Sequence, residues 1–156
     1  TASYLHLPLT GTYQLYVISF RTPLESHSRY VLLNLDQMIP SVLKLIYHES
    51  ILILDNLGDG ADASHEQVIM EALHVQLPIN NAYCGISQPF QDLRLLKDVF
   101  LLTRRTAKLE MKIHPDRLYY AVRDTFATSL LATAAEQIDF TLLYRRELDR
   151  LRTYDE

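Results

Sequence analysis

The sequence predicts an α/β fold of the α+β sandwich kind, a sheet with helices packed on it, followed by a helical extension. Short runs rich in β-branched and aromatic residues alternate with longer segments whose apolar residues recur at helical spacing. Two of the short runs, residues 42–46 and 51–54, are separated only by the polar YHES of residues 47–50, which is typical of a β-hairpin. About half of the 156 residues are apolar (48%), so a chain of this length can bury a core of its own.

The first half of the chain is expected to run β-α-β-β. Residues 13–20 (YQLYVISF) predict a strand, because aromatic and β-branched residues favour a pleated surface. Apolar residues at helical spacing predict a helix over residues 29–38, and Pro40 marks its end. The hairpin of residues 42–54 completes this half.

The middle of the chain predicts a further helix and strand. Residues 58–64 (GDGADAS) indicate a loop, and Ser64 and Gln67 have the spacing of a capping box for the next helix. That helix is expected to end before Pro78 and to carry on one side Val68, Ala72 and Val75. Residues 81–87 (NAYCGIS) then predict a strand.

Asp92 is expected to cap a longer helix. Its apolar stripe consists of Leu93, Leu96, Phe100, Thr103 and Ala107, flanked by Leu95, Val99 and Leu102. Its basic residues are assigned to other faces: Lys97, Arg104, Arg105 and Lys108. The apolar sides of all these elements predict a core that includes Val17, Ile46, Ile53, Ile86, Leu96 and Phe100.

The end of the chain predicts helices. We expect a short extended piece over residues 111–114 and, after Pro115, a helix from Asp116 to about residue 135. A second amphipathic helix, over residues 140–152, interleaves acids with Arg145, Arg146, Arg150 and Arg152, and mixed charge of this kind is typical of a solvated face. The predicted domains are therefore residues 1–112 and a helical extension over residues 113–156.

Composition excludes several classes of protein. Fifteen Lys and Arg against nineteen Asp and Glu give a net charge of −4, which argues against an extended nucleic-acid surface. No apolar run approaches the ~20 residues that span a bilayer. The single cysteine, Cys84, predicts no internal disulfide and a reducing, cytoplasmic compartment. The chain lacks an initiator methionine and stops inside a predicted helix, so we expect a fragment of a longer protein.

Few residues suggest chemistry. His48 and Glu49, with Asp55 nearby, suggest a metal or acid–base cluster or, as we prefer, a solvated turn. His65, Glu66 and His74 are expected to be structural, Cys84 to be a buried apolar residue, and residues 58–62 to form a turn without the ligand pattern of a calcium loop. We predict no catalytic, cofactor-binding or metal-binding residue and no cofactor.

The segment from Cys84 to Leu109 resembles the central domain of PucR/CdaR-family transcription regulators. The resemblance is carried by Gly85-Ile86-Ser87, Asp92-Leu93 and Arg104-Arg105-Thr106-Ala107, and after them by Leu118-Tyr119 and Leu151-Arg152-Thr153-Tyr154-Asp155. In that family the Tyr-Asp pair precedes a C-terminal helix-turn-helix, which is absent from this chain.

The family's central domain is similar to the GGDEF domain of diguanylate cyclases, so the resemblance implies a degenerate cyclase-like sheet. The Gly-Gly-Asp/Glu-Glu-Phe turn of an active cyclase corresponds here to residues 47–51 (YHESI), without its glycines and with one acid replaced by Ser50. The strand that should supply another metal-binding aspartate reads VISFR (residues 17–21). Residues 42–46 lack the Arg-x-x-Asp product site, and Glu49 alone cannot organise two Mg²⁺ ions.

The resemblance implies a non-catalytic signal-relay and association domain of a cytoplasmic bacterial transcription regulator. The expected partners are a second copy, DNA only through the missing C-terminal segment, and a small-molecule effector, with no membrane. Two alternatives stay open, a small-molecule sensor domain and a divergent nucleotide cyclase. The apolar stripe of the last predicted helix either forms the dimer contact or packs on the preceding helix: Leu143, Leu148 and Leu151.

Overall fold

The computed structural model describes residues 8–22, 27–58 and 65–125, together with Ala134. The strands are β1 (Thr10–Phe20), β2 (Leu43–Tyr47), β3 (Ser50–Asn56), β4 (Ala82–Ile86), β5 (Phe90–Asp92) and β6 (Tyr119–Ala121). The helices are α1 (His27–Met38), α2 (Glu66–Ile79) and α3 (Leu96–Ile113), with 3₁₀ turns over Leu93–Leu95 and Val122–Thr125. The mixed sheet with helices packed on it confirms the predicted α+β sandwich.

Strand β1 is the centre of the sheet, whose order is β2-β3-β1-β4-β6. It pairs antiparallel with β3 on one side and with β4 on the other, and its first residues also pair with β5. Strand β6 lies parallel to β4, and α3 supplies the connection that a parallel pair requires.

Helices cover both faces of this sheet, because side chains along β1 alternate between them. Tyr16 and Ile18 point towards α1 and α2, where they join a core that includes Ile53, Leu35 and Leu73. The intervening residues of β1 point towards α3 and pack with Phe100: Tyr13, Leu15 and Val17.

The prediction of a hairpin with its turn at residues 47–50 is confirmed. Tyr47 pairs with Ser50, so the turn between β2 and β3 contains only His48 and Glu49. Both turn residues have positive φ, 46° and 65°, as a two-residue hairpin turn of type I′ requires. The hydroxyl of Ser28, in the first turn of α1, donates to the Glu49 carbonyl at 3.1 Å and holds the turn against the helix.

The predicted core is partly confirmed. Val17, Ile53 and Phe100 are buried. Ile86 is half-buried beside the core that faces α1 and α2, and Leu96 is half-buried beside the core that faces α3. The assignment of Ile46 to the core is wrong, since the residue is 37% exposed. Among the described strands, β2 lies at the edge of the sheet and pairs only with β3.

Helix α2 differs from its prediction in part of its buried face and in length. Of the predicted face, Ala72 is buried, beside Ile69, Leu73 and Leu77. The assignment of Val68 and Val75 to that face is wrong, because both are exposed. The helix continues through Pro78, because a proline in the last turn removes only one helical hydrogen bond. Ser64 of the predicted capping box lies outside the described residues.

The predicted extended piece at residues 111–114 is wrong, because α3 runs to Ile113 and closes with the His114 amide on the Glu110 carbonyl. Asp92 caps the short 3₁₀ turn before this helix by accepting from the Arg94 amide at 2.9 Å.

The predicted helix from Asp116 is also wrong at its start, because residues 119–121 form β6. Pairing with β4 and burial of the Tyr120 ring outweigh the helical spacing of this stretch. The sheet therefore continues past the predicted boundary at residue 112.

Apart from Ala134, the predicted helices beyond residue 125, with their leucine stripe and four arginines, lie outside the described residues. Within the described part, the structure contains no helix that is both long and apolar enough to cross a membrane.

Candidate anion-binding site

Three polar side chains form a floor on the α3 side of the sheet, where β1 ends and β3 begins. Ser19 and Tyr83 are register partners on β1 and β4, and the Oγ atoms of Ser19 and Ser50 are 3.5 Å apart. Ser50 and Tyr83 are almost completely buried. Since odd-numbered residues of β1 face α3, Ser19 continues the apolar row of Leu15 and Val17 with a hydroxyl.

Helix α3 covers this floor with basic side chains. Arg104, Lys108 and Met111 follow Phe100 at intervals of four, four and three residues and therefore share one side of the helix. The helix lies close to β4 because Gly85 has no side chain. A Cβ there would be 2.9 Å from the Ala107 Cβ and 3.0 Å from the Thr103 carbonyl oxygen.

Arg21 adds a third cation immediately after β1. Its Nη2 donates to the carbonyl oxygen of Arg117 at 2.9 Å. Its guanidinium carbon lies 5.7 Å from the centroid of the Tyr83 ring, within the range of a cation–π contact. These two contacts hold the side chain at the edge of the floor.

Together these groups enclose a cavity of about 340 Å³. Its lining is contributed by β1, the hairpin, β4 and α3: Ser19, Phe20, Arg21, His48, Glu49, Ser50, Tyr83, Arg104, Lys108 and Met111. Small-molecule sites range from about 300 to 1,000 Å³, so this volume suits a small metabolite.

The cavity is electropositive. Among the described residues that line it, three are cations and one, Glu49, is a carboxylate, whereas the whole chain has a net charge of −4. Among the residues that the structure describes, Arg21, Arg104 and Lys108 form no salt bridge. Burial raises the pKa of the Tyr83 hydroxyl, against the opposing effects of a hydrogen bond with Ser19 and the charge of Arg104.

The sequence-predicted cluster of His48, Glu49 and Asp55 is not brought together. His48 and Glu49 are exposed at the mouth of the cavity, while Asp55 lies near the far end of β3. There its buried carboxylate accepts from the His65 backbone amide at 3.2 Å and lies 3.4 Å from Nδ1 of the same residue. In the described part of the chain, no three His, Cys, Asp or Glu side chains are placed to hold a metal ion.

The other candidates are distant from the cavity. Cys84 is fully buried on the α1 and α2 side of the sheet, and burial strongly raises the pKa of its thiol. His74 is exposed on α2, and residues 59–62 of the predicted turn lie outside the described residues.

Sequence reasoning missed the three cations. It assigned Arg104 and Lys108 to faces of α3 other than the apolar stripe, and it considered Arg21 only as part of a strand without carboxylates. The spacing of Arg104 four residues after Phe100 could have placed it beside the core. The convergence of Arg21 on α3 depends on tertiary structure.

Comparison with protein-family models, with curated proteins and with solved structures finds no match to this chain. The functional interpretation therefore depends on the geometry of the cavity.

Proposed function

We propose that this chain is a regulatory domain that binds a small anionic effector in the cavity and does not turn it over. One observation carries the proposal: Arg21, Arg104 and Lys108 converge from β1 and α3 on a metabolite-sized cavity in an acidic chain. Convergent polar groups in a well-formed pocket are the usual basis of a small-molecule site.

The residues of the cavity favour binding over cyclase chemistry. Where the cyclase resemblance expects metal-binding carboxylates, β1 has Ser19 to Arg21 and the hairpin has Glu49 and Ser50. Serine hydroxyls and guanidinium groups donate hydrogen bonds to an anion, whereas proteins usually bind Mg²⁺ through one or two carboxylates together with phosphate oxygens. The donor set does not fit a two-metal site, so we derive no catalytic step through metal ions.

The cavity is connected to the part of the fold that leads towards the C-terminus. Arg21 bonds to the backbone at Arg117, two residues before β6, and α3 both covers the cavity and precedes that strand. In the proposed parent protein, a cytoplasmic and homodimeric transcription regulator, an effector that repositions Arg21 or α3 would act on the segment leading to the DNA-binding module.

Thermal unfolding against a panel of nucleotides, sugar acids and phosphorylated metabolites tests this proposal. An effector at 100 times its Kd should stabilise the fold by about 2.7 kcal/mol. Lys108→Ala should remove the response, and Lys112→Ala, one turn further along α3 and outside the cavity lining, should keep it. A panel without any stabilising anion, or an equal response in both variants, would refute the proposal.

Incubation with GTP and Mg²⁺ or Mn²⁺ tests the absence of turnover. We expect no cyclic dinucleotide. Product formation that Glu49→Ala abolishes would instead make Glu49 a catalytic residue and the chain a divergent cyclase.

A further inference from the structure

We propose that the effector is a phosphomonoester, with a dianionic phosphate carried on a small organic group. This inference rests on the proposed function and adds the chemical class of the ligand. It is drawn from the charge, the donors and the volume of the cavity.

The charge of the cavity matches a dianion. Arg21, Arg104 and Lys108 contribute three positive charges and Glu49 one negative charge, which leaves two positive charges to be balanced. A phosphomonoester has between about 1.5 and 2 negative charges at pH 7. A monocarboxylate would leave one of the cations without a counter-charge in a partly enclosed site.

The donors match a tetrahedral anion with three free oxygens. The two guanidinium groups offer planar forks, Lys108 offers a single ammonium, and the hydroxyls of Ser19 and Ser50 lie side by side at 3.5 Å. These donors come from the sheet below and from α3 above, so they are not coplanar. A planar carboxylate has two oxygens and cannot use donors from both layers as fully.

Two of the cations are positioned before any ligand binds. Arg21 is fixed by the Arg117 carbonyl and the Tyr83 ring. The guanidinium carbon of Arg104 lies 5.9 Å from the centroid of the Phe100 ring. None of these three contacts uses a carboxylate, so both positive charges stay available to a ligand. Preorganisation of this kind lowers the entropic cost of binding.

The size of the cavity limits the group that carries the phosphate. Met111 is half-buried in the cavity wall, while the nearly inaccessible Tyr83 ring is covered by Arg21. A volume of about 340 Å³ is near the lower end of the small-molecule range and accommodates a phosphate with a modest substituent.

Phenyl phosphate and phenyl sulfate are a matched pair of probes, since they have nearly the same shape and differ by one negative charge when fully ionised. Calorimetric titration at pH 8 should give phenyl phosphate a Kd at least about tenfold lower than that of phenyl sulfate. Arg104→Ala should raise the Kd of phenyl phosphate about tenfold or more, and Lys112→Ala should leave it unchanged. Succinate, a dianion without tetrahedral oxygens, should bind more weakly than phenyl phosphate.

The pH dependence gives a second readout. A phosphomonoester takes up a proton near pH 6, so its advantage over the sulfate should shrink between pH 8 and pH 5. The titratable and charged groups facing the ligand are Arg21 from β1, Tyr83 from β4, Arg104 and Lys108 from α3, and His48 and Glu49 from the turn. His48→Asn removes the one imidazole among them at a position with positive φ, and the pH effect should persist in this variant.

The possible failures are distinguishable. Tighter binding of succinate or equal binding of phenyl sulfate, each lost in Arg104→Ala, would overturn the phosphomonoester while leaving an anion-binding regulatory domain. An absence of binding by all three probes and by the wider metabolite panel would overturn both proposals.

Discussion

The two faces of the sheet differ in what they bury. On the α1 and α2 side, the row across the sheet is apolar, with Ile18, Ile51 and Cys84 side by side and nearly inaccessible. On the α3 side, the apolar row from Leu15 to Val17 is followed by polar groups around an open cavity. Strand β1 contributes to both rows, Ile18 to the first and Leu15 and Val17 to the second.

We expect this difference to separate the residues that stabilise the sheet from those of the proposed binding site. The α1 and α2 side holds the larger cluster of buried residues, and buried apolar area stabilises a fold by about 25 cal/mol per Å². The α3 face uses polar and charged side chains where apolar ones would pack better, and departures of this kind tend to mark functional sites. Mutations on the two faces should therefore have different consequences.

The largest expected effect is on the apolar face. Ile53→Ala should lower the free energy of unfolding by about 2–5 kcal/mol, because it leaves a cavity in the core between the sheet and helices α1 and α2. Ile46→Ala, on the same face but exposed, should cost less than about 1 kcal/mol. Urea titration of both variants measures this, and equal losses would show that β2 is covered in solution.

The next effect concerns the close approach of α3. Gly85→Ala should cost about 1–3 kcal/mol, because the added methyl group meets the Ala107 Cβ and the Thr103 carbonyl. It should also weaken anion binding by moving Arg104 and Lys108 away from the floor. In a double-mutant cycle with Ala107→Gly, the combined loss should be smaller than the sum of the single losses. Strict additivity would contradict the close packing.

A smaller effect is expected where β6 joins the α3 face. The Tyr120 hydroxyl donates to the carbonyl oxygens of His114 at 2.5 Å and Arg117 at 3.1 Å. Tyr120→Phe should therefore cost about 1 kcal/mol in thermal or urea unfolding. Tyr119→Phe is the neighbouring control, since within the described residues its hydroxyl forms no hydrogen bond, and it should be close to neutral. A larger loss of stability in Tyr119→Phe than in Tyr120→Phe would contradict the hydrogen bonds assigned to the Tyr120 hydroxyl.

The smallest effect is a gain at the hairpin. Glu49 has a φ of 65°, a backbone conformation that costs L-residues roughly 1–2 kcal/mol, so Glu49→Gly should stabilise the fold by about 1 kcal/mol. It should also strengthen anion binding by removing the one carboxylate of the cavity. Glu49→Ala keeps the Cβ, so it should bind the anion more tightly without a gain in the free energy of unfolding. If neither variant bound the anion more tightly, Glu49 would not contribute to the charge of the cavity.

Much of the fold could be predicted from the sequence because the relevant preferences are local. The run YQLYVISF favours a strand wherever it lies, and an apolar run on each side of YHES specifies a hairpin. The incorrect predictions concern residues whose structure or burial depends on tertiary contacts. Residues 119–121 are a strand because β4 offers them an edge, and Ile46 is exposed because β2 lies at the edge of the described sheet.

The candidate site was predictable only in part. The sequence alone shows that residues 17–21 carry no carboxylate and that Ser50 follows Glu49 in the turn, where the resemblance predicts carboxylates. Arg104 and Lys108 are 83 and 87 residues beyond Arg21 in the chain, and nothing local to either segment indicates that they converge.

The sequence by itself determined the α+β class, the hairpin and its turn, and the alternation that gives the sheet two buried faces, because these depend on periodicity and turn chemistry. Only the tertiary structure decided which face would be dry and which would be open and charged. Gly85 lets α3 lie close to β4, and the end of β1 brings Arg21 beneath Arg104 and Lys108. Electrostatic fields depend on distances in space, and residues far apart in the chain acquire those distances only on folding.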